Sequence, residues 1–468
     1  MRSILNISVI GLAAIFAMYA GIISAHADVV ISNKPTQDMA CDSGVCTATA
    51  KKAVMNASDL ANMLASDDVI VKSGIAKSIR VDQLLSWEST SRLTFEVNQY
   101  ITVNKPISVA GGGALTITYG GSGSDGDLQF FGKGKIDFLS GGGSLIINGH
   151  PYVLAYDVTS LAAAVAKDTS GNFALAADYD ATNEFYDDSP VPIFNGTFEG
   201  LGHTISHLNI KERVRGADAG FFGQSGGVIR DVTLESINLS VAKGGSGGAI
   251  AGFNAGLIAH VHARGKISAK DRVTSLVGGL VGENGNGFGG GTITNSSANV
   301  SGQIYGGLVG LNHSIIDQCF AEGKVTAPGG GLVGELFSGG KISNSYASGP
   351  LTAGIGGFIG VGDLEVSSSY SIGQVAQSNF SGGFVGQVDS NAVQNAYWDV
   401  DTSGQTEGCG SGDCSGITGL SDAQLKSGMP AGFDPKIWAQ DTKITAAIPI
   451  CAPIRRGNSE GPEKTGRA

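Results

Sequence analysis

Gly278-Gly279-Leu280-Val281-Gly282, Gly306-Gly307-Leu308-Val309-Gly310, Gly330-Gly331-Leu332-Val333-Gly334, Gly356-Gly357-Phe358-Ile359-Gly360 and Gly382-Gly383-Phe384-Val385-Gly386 are five copies of one phrase. Two degenerate copies precede them, Gly220-Phe221-Phe222-Gly223 and Gly247-Gly248-Ala249-Ile250-Ala251-Gly252. Anchored on the second glycine (Gly220 in the first copy), the intervals are 28, 31, 28, 24, 26 and 26 residues. Self-similarity at that period marks a solenoid or propeller array, whose units bury their apolar sides only against their neighbours. The chain holds 73 glycines in 468 residues, against a usual share of ~7%. A glycine inside a strand costs ~0.5–1 kcal/mol relative to alanine, so this excess belongs where the backbone needs positive φ or close approach. The glycines are therefore expected at corners between strands.

A second phrase follows the first in six repeats: 258–263, Ile293-Thr294-Asn295-Ser296-Ser297-Ala298, 316–321, Ile342-Ser343-Asn344-Ser345-Tyr346-Ala347, 366–371 and 393–398. Stacked, these give a column of small or apolar residues (Val261, Ser296, Cys319, Ser345, Ser369, Ala396) beside a largely aromatic one (Phe320, Tyr346, Tyr370, Tyr397). Like above like, with room in each repeat for three strands and their corners, predicts an all-β parallel β-helix, a solenoid with short capping helices. Six intervals make the marked array about 30 Å long. Asn254, Asn284 and Asn312 follow their glycines at matching positions and suggest a side-chain ladder.

The rest of the chain is read around that array. Arg2, the apolar run Ile4 to Ile23 and Ala25-His26-Ala27 have the layout of a signal peptide over 1–27, with the mature chain starting at Asp28. Residues 28–52 are expected to be an irregular arm and 53–150 a β-rich module opened by a short helix after Asn56. A second helical stretch near Thr159–Ala166 opens a helix-capped segment, 151–219, leading into the array at 220–400. A closing segment over 401–448 and a disordered tail over 449–468 follow. No later segment is apolar enough to span a membrane. The net charge of −11 lacks the basic stripe that nucleic acid would require.

Four of the six cysteines fall in two similar short loops, Cys41 to Cys46 and Cys409 to Cys414, and are expected to form disulfides in an oxidising compartment. A metal site is the alternative, but no histidine or second cysteine pair lies at ligand spacing. Cys319 and Cys451 are left over, and spacing does not say whether they pair.

The phrases Gly-Gly-Leu-Val-Gly-Glu-Asn (278–284) and Ile-Ser-Asn-Ser-Tyr-Ala-Ser-Gly (342–349) resemble GLUG repeats of bacterial surface proteins, filamentous haemagglutinin-like adhesins among them. The segments 103–111, 198–205 and 397–404 are also similar to recurring segments of that group. The resemblance implies an exported β-helical protein, an adhesin for host or environmental glycans or proteins, and supplies no catalytic residue. Departures are the short chain, the absence of an Asn-Pro-Asn motif near the N-terminus and the lack of the His-Glu-x-x-His of immunoglobulin A peptidases.

Candidate chemistry is sparse. His260 and His262 could share a strand face, although His262 falls in the aromatic column, and His203 and His207 sit in the lead-in segment. Asp399, Asp401 and Ser403 before Gly404 resemble half a Ca²⁺ loop, with Gly410 where the bidentate Glu should be. Residues 120–128 nearly match a single Ca²⁺-binding nonapeptide. Gly-x-Ser-x-Gly around Ser225 and Ser246 lacks the strand–elbow–helix context of a nucleophile. Asp187, Asp188 and Asp218 with Arg213 and Arg215 form the one dense charged cluster near the array. The reading is a non-enzymatic surface adhesin without a cofactor. Its alternatives are a β-helix polysaccharide lyase or hydrolase, which needs paired carboxylates in a groove, and a structural envelope component.

Overall fold

The computed structural model describes residues 28–121, 126–139, 141–270, 275–287, 290–337, 339–440 and 449–451. The proposed signal peptide and all of the tail after Cys451 lie outside them. Short strands with apolar residues at alternate positions turn one face inward, and successive coils stack those faces in parallel register. The result is a parallel β-helix with few, short helices.

The N-terminal block has three sheets. Ala53–Asn56, Asp28–Ser32, Ser78–Val81, Ile101–Val103 and Leu128–Phe130 form the first. Leu85–Trp87, Ile107–Val109 and Ile136–Phe138 form the second. Val45–Ala48, Val69–Lys72, Arg92–Glu96, Ala114–Thr118 and Ser144–Ile147 form the third. From Ser78 onward each coil crosses all three, stacking Ile79 on Ile101, Leu85 on Ile107 on Ile136, and Leu93 on Leu115 on Leu145, all buried. One expectation is corrected here and a second is sharpened. Residues 28–52 are not an irregular arm, because Val29 and Ile31 point into the core from a strand clamped between 53–56 and 78–81. The module at 53–150 is itself β-helical. Asn56 caps helix Ala57–Leu64 through the N–H groups of Ser58 and Asp59, and the helix lays Ala57, Leu60 and Leu64 on this core.

The blocks join through one reversed strand. Ser144–Ile147 pairs antiparallel with His150–Ala155, which pairs parallel with Asn172–Leu175, the first strand of the second stack. Helix Val158–Lys167 adds Val158, Leu161 and Val165 to the second block's core beside Phe173 and Phe194. From there Val191, Phe222, Ala251, Val281, Val309, Val333, Ile359, Val385 and Cys409 stack in one register column. With the five rungs of the third N-terminal sheet, this nine-rung column makes a rod of about 60–70 Å. The marked repeats are therefore only the middle of a longer stack.

Two corners explain the two phrases. The glycines of the first phrase all keep ordinary φ and are needed for close approach. A Cβ on Gly307 would lie 1.9 Å from the carbonyl oxygen of Gly331 on the next rung. Leu308 and Val309 beside it are fully buried. The second phrase turns through Asp231, His260, Asn295, Gln318, Asn344, Ser368 and Asn395, all left-handed with φ of 46° to 56°, a region asparagine tolerates better than most residues. The small column next to that corner is buried, and its hydroxyls do backbone work. Ser296, Ser345 and Ser369 Oγ accept from the N–H groups of Val261, Cys319 and Ser345 and donate to carbonyls two residues back. The expected asparagine ladder is present and buried, each Nδ2 to the next Oδ1 at 2.8 Å, and ends where Leu336 replaces asparagine.

Candidate functional site

With the interior filled, ligands can meet only the outward columns, one side chain per rung. On the first N-terminal sheet these are Arg80, Thr102 and Gln129 in register, lining an open groove of about 1040 Å³. Arg80 Nε lies 2.9 Å from Asp82 and Nη1 3.3 Å from Asp28, while Asn104 Nδ2 donates to Asp82 at 2.7 Å. Tyr100 lines the same groove. Planar donors and acceptors held in place beside an aromatic ring suit a hydroxyl-rich polymer or an extended peptide. Arg80 is paired with both Asp28 and Asp82, so neither carboxylate stands alone as an acid or base. None of these residues carried a motif in the sequence. The register of the first sheet is what gathers them.

The aromatic column is not an exposed ladder. Phe320 and Tyr346 stack at 4.8 Å and 1°, and Tyr346 and Tyr370 at 5.2 Å and 6°, so the rings lean on one another. Phe433 and Trp438 of the closing segment cover them, leaving Tyr370 and Trp438 each 1% exposed. The Tyr397 hydroxyl donates to the carbonyl of Ala431, and Ser368 to that of Gly432. Trp438–Gln440 also pairs with Pro449–Cys451, so the tail begins as a strand.

Paired carboxylates do occur, but in the wall between the blocks. Arg230 reaches Asp127 and the Leu128 carbonyl in the N-terminal block, and lies 2.6 Å from Asp231 and 3.4 Å from Glu199. Burial and the neighbouring Asp231 push the Glu199 carboxyl well up. Arg230 and His260 hold Asp231 down despite its burial. A high and a low carboxyl side by side is the pattern of an acid–base couple, yet both are at least 95% buried and locked on one guanidinium. The couple is an internal clamp. The phrase 198–205 pointed near it without revealing that Arg230 bridges two blocks.

The other singled-out residues disperse. His260 sits at the left-handed corner 3.2 Å from Asp231, while His262 begins the next strand and bonds Ser297 Oγ through Nδ1 at 2.8 Å. The turn between them means they do not share a strand face. His203 is buried between Asp178 and the Ile136 carbonyl, and His207 contacts Asp180 in the open. Arg213 pairs with Asp187 with both side chains more than half exposed, and Asp218 bonds Gln224. Ser225 is buried inside its strand and Ser246 lies in a two-residue strand. Asp399 caps the short helix Val400–Ser403 through the N–H groups of Asp401 and Thr402, and Asp401 accepts from the N–H of Asp422. Residues 122–125 of the nonapeptide-like stretch lie outside the described residues. Cys41–Cys46 and Cys409–Cys414 are disulfides, with Cα atoms 4.0 and 5.9 Å apart, and Cys319 is a buried thiol.

No family model matches the chain. Over 145 residues, 26% of the chain, it is 34% identical to halomucin of Haloquadratum walsbyi. Over 101 residues, 20% of the chain, it is 39% identical to a protein named as a candidate Gly-rich membrane protein of Evansella cellulosilytica. The chain spans 2% and 10% of these relatives' own lengths. A solved structure of a candidate immunoglobulin A1 protease from Bacteroides ovatus aligns with a TM-score of 0.40 at 17% identity, covering 65% of this chain and 92% of that one.

Proposed function

We propose that this is an exported β-helical surface protein that acts as an adhesin, binding host or environmental glycans or proteins in the groove around Arg80. The groove carries the reading: it is open, mixes polar groups with the Tyr100 and Phe131 rings, and is lined by side chains already held by one another. The two disulfides, the similarity to halomucin and to a Gly-rich membrane protein, and the resemblance to GLUG repeats support an extracellular setting. Among the described residues no helix is long and apolar enough to cross a membrane.

The test is a glycan array and a cell-attachment assay on the chain from Asp28, beside Thr102→Trp, which fills the groove from an outward position. Attachment is expected to fall at least tenfold in the variant, with the melting temperature kept. Unchanged attachment would remove the groove from consideration. A parallel polysaccharide-degradation screen guards against the enzymatic alternative, since turnover lost on mutating Asp187 or Asp188 would overturn the adhesin reading.

A further inference from the structure

The groove around Arg80 has a wall from far along the chain. Strands Ser78–Val81, Ile101–Val103 and Leu128–Phe130 supply Arg80, Thr102 and Gln129 on successive rungs, and the closing segment adds Lys436. Asp28 and Asp82 both lie on Arg80, and Asp82 also accepts from Asn104 Nδ2, so these groups hold one another. Lys436 belongs to no such set. Its side chain is exposed, its ammonium makes no ion pair among the described residues, and the neighbouring Asp434 accepts from the Lys436 backbone N–H at 2.8 Å. Of the two cations lining the groove, it is the one that no described carboxylate neutralises.

We infer that Lys436 makes the groove selective for a glycan that carries an occasional carboxylate, which pairs with its ammonium while the sugar rings lie along Arg80, Thr102 and Gln129. The inference rests on the adhesin reading of this groove and narrows its ligand. The rung spacing decides between a glycan and a peptide. The three outward side chains stand about 4.8 Å apart, whereas an extended peptide repeats its side chains on one face every ~6.7 Å and falls out of step with them. A pyranoside chain advances by roughly one ring per rung. The volume of about 1040 Å³ admits several rings, and the half-buried Tyr100 and Phe131 offer apolar surface to their faces. A guanidinium, a hydroxyl and carboxamides beside two carboxylates can meet ring hydroxyls as donors or acceptors. The charges set how acidic the ligand is. Asp28, Asp82, Arg80 and Lys436 sum to zero, so a chain charged on every ring gains little from the groove as a whole, while a single acid placed on Lys436 gains an ion pair.

The experiment is an NMR titration of the chain from Asp28 with a hyaluronan tetrasaccharide, which carries a carboxylate on every second ring, and with chitotetraose, which carries none. A heparin tetrasaccharide, charged on every ring, and a hexaglutamate peptide are the contrasts. The hyaluronan fragment is expected to bind about three- to fivefold more tightly than chitotetraose at about 0.1 M salt, the worth of one exposed ion pair, and the gap to close near about 1 M. Lys436→Met is expected to bring the two ligands level without weakening chitotetraose, and Lys436→Arg to keep the gap. The side chain is exposed, so neither variant is expected to move the melting temperature. Equal affinities in the parent, a gap that survives Lys436→Met, or tightest binding by the heparin fragment or by hexaglutamate overturns the inference and leaves the groove standing. Affinities that Thr102→Trp does not change, or no binding of any of the three glycans, overturn the inference together with the groove as the glycan site.

Discussion

Gly307 illustrates how narrowly single positions are constrained. Its missing Cβ is the space through which the next rung's carbonyl passes, 1.9 Å from where the carbon would stand. Gly307→Ala is expected to destabilise the chain by about 1–3 kcal/mol, read as a lower midpoint in urea. Gly287→Ala, where no described residue lies within 4 Å, is expected to stay within about 0.5 kcal/mol. Equal midpoints for the two would show that close approach is not what the repeated glycines supply. His262 gives a pH test. Burial, helped by the charge of His260, pushes its imidazole down to about 4 from 6.5. The folded state therefore binds the proton less readily than the unfolded chain. The stability this contributes is present above pH 6.5 and is lost as pH falls toward 4, by no more than about 3 kcal/mol for a half-buried ring. His262→Asn should flatten that limb of the stability curve, and a wild-type-minus-variant difference constant from pH 7 to 4 would refute it.

At the scale of elements, the closing segment is bound by its aromatic side chains. Trp438 belongs to a cluster separate from both cores, and its buried indole N–H has no hydrogen-bond partner among the described residues. Trp438→Ala is expected to free the segment after residue 420 while the coils stay folded. The local cost is about 3–5 kcal/mol. Limited proteolysis should then cut in 421–440 with the far-ultraviolet spectrum retained, whereas collapse of the whole spectrum would show the segment to be part of the coil's own stability. The six-residue phrase showed that Phe320, Tyr346, Tyr370 and Tyr397 share a column. It could not show a cover, because Phe433 and Trp438, which supply it, lie well beyond the last repeat at 393–398 and carry no repeat pattern.

For the whole molecule the decisive feature is the wall between the two blocks, spanned by Arg230 and its contacts to Asp127 and Leu128. Arg230→Met leaves Asp127, Glu199 and Asp231 without their cation, at a cost of about 3–5 kcal/mol. Calorimetry is expected to resolve two transitions in the variant where the parent shows one. A single transition at the parent's temperature would mean that the reversed strand His150–Ala155 couples the blocks without the clamp. The second block was legible because one phrase recurs in it. The N-terminal block was less so, because its coils step by 22 to 30 residues between paired positions and the phrase Gly-Gly-Gly-x-Leu-x-Ile recurs in it only twice, at 111–117 and 141–147.

The recurring phrases are enough to establish that the middle of the chain coils, how long each coil is, and which residues stack on like residues. Local chemistry suffices for that, since a corner that only glycine fits must recur as glycine in every rung. The sequence also marks the two short disulfide loops, because cysteines only five positions apart leave little choice of partner. That residues 28–150 are β-helical too, that the tyrosine column is covered, and that Arg80, Thr102 and Gln129 face one groove emerges only from the folded chain. Each of these depends on residues brought side by side by stacking or by the returning C-terminal segment. Their spacing along the chain follows the length of the loops between them, which varies freely, and so leaves no period to read.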